Sequence, residues 1–75
     1  MNDKQKEKDI LQITIRLFIA AKNKWNITID ECAELFDKYE IDEYIEACYE
    51  SFHVQSDSAN MEEIEEYMRC KGYAA

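Results

Sequence analysis

The chain contains no proline and only one glycine, Gly72. A β-rich fold needs many tight turns, and those turns draw on residues that tolerate unusual backbone angles. Their scarcity tells against a β architecture. Three cysteines, Cys32, Cys48 and Cys70, form no CxxC pair and leave an odd number. That argues against a disulfide scaffold or a zinc ribbon and fits reduced cytosolic thiols. No long apolar run is present. The stretch from Ile10 to Ala21 is broken by Gln12 and Arg16 and is too short and too polar to span a bilayer. The first nine residues are polar, so no secretory signal is expected. At 75 residues the chain has room for one domain, 1–75, with residues 1–5 expected as a disordered tail. Multi-domain enzymes and large cofactor folds are excluded.

What is there is apolar and acidic. Apolar residues make up 47% of the chain, which excludes plain disorder, while 35% charged residues imply a very polar surface. The formal charge of -8 divides unevenly, with +3 on residues 1–26 and -11 on residues 27–75. A body this acidic repels phosphate backbones, so direct nucleic-acid binding is disfavoured. The protein is expected in the cytoplasm, with no membrane association.

Periodicity and capping signals define four helices and an all-α small bundle. The first covers about residues 6–25. Leu11, Ile13, Ile15, Leu17 and Ile19 alternate as in a strand, yet Ile10, Leu11, Leu17, Phe18, Ala21 and Trp25 also fit a helical stripe. Length without a breaker favours the helix. Its apolar arc runs from Ala20 round to Ile15, roughly 220° at 100° per residue. An ordinary surface helix needs a stripe of only ~100°. This helix is expected to be central to the fold, or to serve both a core and a partner.

The second helix, 29–39, opens with Thr28-Ile29-Asp30-Glu31, a capping box in which the Thr28 hydroxyl and the Glu31 carboxylate satisfy each other's backbone N–H. Cys32, Leu35, Phe36 and Tyr39 form its apolar face. The third, 43–52, takes Asp42 as N-cap and buries Tyr44, Ile45, Cys48, Tyr49 and Phe52. Residues 53–60 are expected as the main loop. Asn60 with Glu63 gives a second capping signal for the fourth helix, 61–71, whose acidic start and basic end suit the helix dipole. Gly72 is placed as its C-terminal cap.

Catalytic and metal chemistry find little support. His53 is the only histidine, and no nucleophile elbow or glycine-rich oxyanion turn accompanies the nearby Ser51, Ser56 and Ser58. Cys32, Cys48, Cys70 and His53 match no compact zinc spacing. A calcium loop counted from Asp37 would put Tyr39, Ile41 and Asp42 where oxygen ligands and a glycine belong. Helices two and three outline a helix-turn-helix, but Glu43, Glu46 and Glu50 on the reading helix would repel phosphates. No catalytic residue, cofactor or metal site is therefore expected.

The aromatics point to association. Tyrosine buries its ring and keeps a polar tip, which suits interfaces as well as core rims. A helical domain of this size is also near the limit of self-sufficient burial. Trp25, Tyr44, Tyr49, His53 and Tyr67 are the candidate interface residues. The expected partner is a protein, either a second copy or a different chain.

Four blocks also resemble a known family. Leu35-Phe36-Asp37-Lys38-Tyr39, then Tyr44-Ile45, then Tyr49-Glu50-Ser51-Phe52-His53-Val54-Gln55, then Ile64-Glu65-Glu66-Tyr67 are similar to a family of short bacterial proteins catalogued only as a domain of unknown function. Its pattern pairs an E-L-F-x-K-Y helix with a Y-x-x-L-H-x-Q helix end and a closing I-E-x-Y helix. Phe52 stands where that pattern has leucine, and Glu40 follows Tyr39 where it often has glycine. The resemblance implies a small helical cytosolic protein without assigned catalysis. It also implies a gene often found beside one for an ADP-ribosyltransferase-like toxin, hence a neutralising or accessory role. The leading expectation is a non-enzymatic protein-interaction module, and the resemblance implies such an antitoxin. The alternative is an acidic nucleic-acid mimic or transcription accessory protein.

Overall fold

The computed structural model describes residues 3–73. Among them are five helices and no strand: α1 Asp3–Trp25, α2 Ile29–Lys38, α3 Ile41–Ala47, α4 Tyr49–Val54 and α5 Asp57–Cys70. The fold is all-α, as the sequence pattern indicates. α1 packs against each of the other four helices. Its 23 residues span about 35 Å at 1.5 Å per residue, which sets the 39 Å long axis of the molecule. α1 begins three residues earlier than the apolar pattern suggests. Of the expected tail, residues 3–5 are helical and residues 1–2 lie outside the described residues.

The alternating apolar run of α1 resolves into two rows. Ile13, Leu17 and Ala21 recur every four residues and are buried at 4%, 0% and 0% exposure. Leu11, Ile15 and Ile19 recur with the same spacing but are 59%, 50% and 52% exposed. A shift of two residues is about 200° around a helix, so the rows lie on nearly opposite sides. Strand-like alternation in this segment is the signature of a helix with two apolar faces. Leu11 accordingly does not join the core.

Around the inner row, Cys32, Phe36, Tyr39, Ile41, Ile45, Phe52, Met61, Ile64 and Met68 complete a single core. Leu35 and Cys48, expected in that core, are half-buried at its edge. Glu34, Glu46 and Glu62 are exposed, as amphipathic spacing requires.

Helix ends show where local signals decide and where they do not. The Thr28–Glu31 capping box forms, with Thr28 N–H donating to Glu31 Oε1 at 2.9 Å and Glu31 N–H to Thr28 Oγ1 at 3.1 Å. Asn26, at φ 54°, ends α1 in the left-handed conformation that asparagine tolerates. Gly72, at φ 101°, does the same beyond α5, and the Tyr73 N–H bonds back to the Met68 carbonyl at 2.9 Å.

Three sequence expectations are corrected. The single helix 43–52 is two, α3 and α4, broken at Cys48 with φ -109° and ψ 27°. α3 starts at Ile41 rather than after Asp42, because Ile41 is fully buried and draws the chain into the helix early. The residue before it, Glu40, takes the left-handed conformation at φ 52° and makes no side-chain cap bond. The loop 53–60 contracts to Gln55 and Ser56. Ser56, not Asn60, caps the last helix, accepting the Ala59 N–H at 3.2 Å.

Candidate interaction surface

The outer row of α1 borders a groove. Two adjoining depressions of about 280 and 300 Å³ share Thr14, Asp42 and Glu43 and run between α1 and the α2–α3 pair. Ile10, Leu11, Ile15, Phe18 and Phe36 supply an apolar floor. Glu7, Asp37, Asp42, Glu43 and Glu46 supply carboxylates along its length, and no lysine, arginine or histidine lines either depression. The helices dictate this arrangement. α1 turns Leu11 and Ile15 outward on one wall. The tight α2–α3 junction at Glu40 turns the acidic first turn of α3 toward the other.

The carboxylates crowd one another. Partial burial pushes the Asp42 carboxyl above the usual range, and the charges of Glu43 and Asp37 push it further in the same direction. A cation placed among them would relieve that strain. Covering the exposed half of Leu11, Ile15 and Ile19 would release roughly 1 kcal/mol for each. Association costs at least about 4 kcal/mol in lost freedom of motion. The row alone would therefore not secure a partner.

The five residues singled out from sequence do not converge on this groove. Tyr44 and Tyr67 are brought together, their rings stacked at 3.9 Å and 8°. The Tyr67 hydroxyl donates to the Tyr39 carbonyl at 2.8 Å. Burial, with the nearby Glu63 charge second, pushes the Tyr44 phenol up to about 12. Tyr49 and His53 form a second pair, stacked at 5.3 Å, with the Tyr49 hydroxyl donating to Asp9 Oδ2 at 2.9 Å. His53 lines a shallow depression with Asp9, Gln12, Ile13 and Arg16, a setting that offers no serine. Trp25 lies apart from both pairs, its ring N–H donating to Glu65 Oε2 at 2.8 Å. Each of these aromatic side chains thus holds one helix to another or packs within a pair.

The sequence signal for the groove was present in the 220° arc of α1, which is wider than a core alone requires. The acidic wall was harder to find, because the α2–α3 turn that aims it depends on Glu40 adopting a left-handed conformation. Among the described residues, no group of three or more histidine, cysteine or acidic side chains is arranged to hold a metal ion. Cys32 is buried, its thiol facing the Phe18 carbonyl at 3.5 Å, and burial pushes its pKa up despite Lys22. No described helix is long and apolar enough to cross a membrane.

Fold and surface together define a small all-helical protein with an acidic, apolar-floored groove. A family profile described as a protein of unknown function (DUF3791) matches residues 12–71, and the chain belongs to that family. No curated protein and no solved structure shows significant similarity to it.

Proposed function

We propose that the protein is a non-enzymatic interaction module that binds a more basic protein in the cytoplasm across the outer face of α1 and the adjoining groove. The observation that carries this reading is the row of Leu11, Ile15 and Ile19, each at least half exposed, of which Leu11 and Ile15 lie beside a wall of carboxylates. Large apolar side chains in a contiguous exposed row mark interaction sites. Opposite charge on the partner would speed encounter and discourage wrong partners. The family resemblance supports a specific version, in which the partner is a co-encoded toxin-like protein and this chain neutralises it.

Co-expression with the product of the neighbouring gene tests the reading. The two proteins should co-purify, and the pair should spare cells that the neighbour alone harms. Substituting Ile15→Glu should abolish both effects while the helical content is unchanged. No co-purification and no protection would end the antitoxin version. Binding that survives both Ile15→Glu and Leu11→Glu would reject α1 as the interaction face.

A further inference from the structure

We propose that the segment bound by this surface is a basic amphipathic helix of about three turns, supplied by a different protein. The inference rests on the interaction reading above and names the occupant. The groove follows α1 from Glu7 to Phe18, a length of about 16 Å, which three helical turns match.

Backbone chemistry selects a helix. An extended peptide binds by adding a strand to an open sheet edge, where main-chain hydrogen bonds supply affinity. The described residues contain no strand, so the groove offers no sheet edge to an extended peptide. A segment that satisfies its own N–H and C=O groups fits such a groove best. A helix does this and also presents apolar side chains every three to four residues, which fit between ridges spaced every fourth residue on α1.

Charge selects a basic face. Carboxylates from α1, α2 and α3 line the groove without a cation among them. Asp42 is partly shielded from water and pressed by Glu43 and Asp37. Lysine or arginine on one flank of the helix would meet Asp37, Asp42 and Glu43, while its apolar row covers Leu11, Ile15 and Ile19.

Charge also rejects a second copy. Two α1 helices packed face to face about a two-fold axis perpendicular to them run antiparallel, and the same edge of each falls on the same side of the seam. Asp42 and Glu43 would then meet their own images. Each chain also carries a formal charge of -8, which adds to that repulsion even though residues 1–26 are themselves basic by +3.

The test is selection from a displayed library of random peptides about three helical turns long, using the full chain as bait at low salt. Enriched peptides should carry an excess of lysine and arginine on one flank and apolar residues three and four positions apart. Synthetic versions should gain helical circular dichroism on binding. Affinity should fall by roughly tenfold or more with Ile15→Glu, and by on the order of fivefold with the Asp42→Asn/Glu43→Gln double variant or at high salt. Enrichment of acidic or proline-rich peptides, no enrichment, or undiminished binding to the Ile15→Glu and Leu11→Glu chains would overturn the proposal. A dimeric mass by light scattering that Ile15→Glu reduces to monomer would overturn it in favour of a second copy. Loss of the co-purified neighbour in Ile15→Glu without any enriched basic helix would reject the occupant and leave the interaction reading standing. Retention of the neighbour by both α1 variants would reject that reading itself.

Discussion

The side-chain amide of Asn60 donates to the Phe52 carbonyl at 3.0 Å, and both residues are fully sealed from solvent. Phe52 lies in the last turn of α4, where carbonyls lose their intrahelical partners. Asn60, from the first turns of α5, supplies the missing donor. One side chain therefore closes a helix end and fixes the angle between two helices.

Removing that donor should be expensive. Asn60→Ala leaves a buried carbonyl unpaired, at a cost of about 1–3 kcal/mol. Urea unfolding should show an unfolding free energy lower by that amount. A shift near zero would mean that water reaches the Phe52 carbonyl and the amide is dispensable.

Glu40 should be better as glycine. Its φ of 52° is a left-handed conformation that glycine adopts without steric penalty. Among the described residues it pairs with Lys71 at 3.9 Å, on the surface, where such pairs contribute little. Glu40→Gly should raise stability by about 0.5–1 kcal/mol, the extra freedom of glycine in the unfolded chain offsetting part of the gain. Thermal unfolding checks the sign.

Ser56→Ala should cost about 1 kcal/mol, because the hydroxyl accepts the Ala59 N–H at the start of α5. Ser58→Ala, inside the same helix and exposed, should be close to neutral. Paired urea titrations of the two variants separate a cap from an ordinary surface serine.

Glu65 should make the fold acid-sensitive. Partial burial pushes its carboxyl up, but hydrogen bonds from Lys24 and Trp25, with the charges of Lys24 and Arg69, outweigh this and hold it below the usual range. A carboxyl with a lowered folded-state pKa stabilises fully above its unfolded value of about 4.3. That contribution is lost as pH falls through the lower folded value. Stability should therefore decline from about pH 4.3 downward, and Glu65→Gln should flatten the decline. An unchanged acid limb would assign the sensitivity to other carboxylates.

These residues also show what the sequence could and could not convey. The Thr28–Glu31 box was legible because both partners lie within one turn and no tertiary contact competes. Asn60 carries an equally good local signal but does not cap the helix, since the buried Phe52 carbonyl claims its side chain. Ser56, one turn earlier, then takes the cap. The break at Cys48 was invisible for a related reason. Tyr44, Ile45, Cys48, Tyr49 and Phe52 share one apolar face whether the helix is continuous or kinked, so periodicity cannot locate the kink. The left-handed turn at Glu40 left no cue in the local sequence, because glutamate seldom adopts that conformation. The interaction face was half legible. The apolar arc of α1 exceeded the needs of a core, but the distinction between an inner row at Ile13 and Leu17 and an outer row at Leu11 and Ile15 depends on where the other four helices pack.

The two faces of α1 are separated most directly by urea unfolding of Ile15→Glu beside Leu17→Ala. Leu17 is fully buried, and its truncation should cost about 2–5 kcal/mol. Ile15 is half exposed, and a carboxylate there should cost about 1 kcal/mol, the value of its buried half. That contrast would show an outer row free of structural duty and available to a partner. Comparable losses from the two substitutions would contradict the account, because Ile15 would then be holding the fold together instead of awaiting a partner.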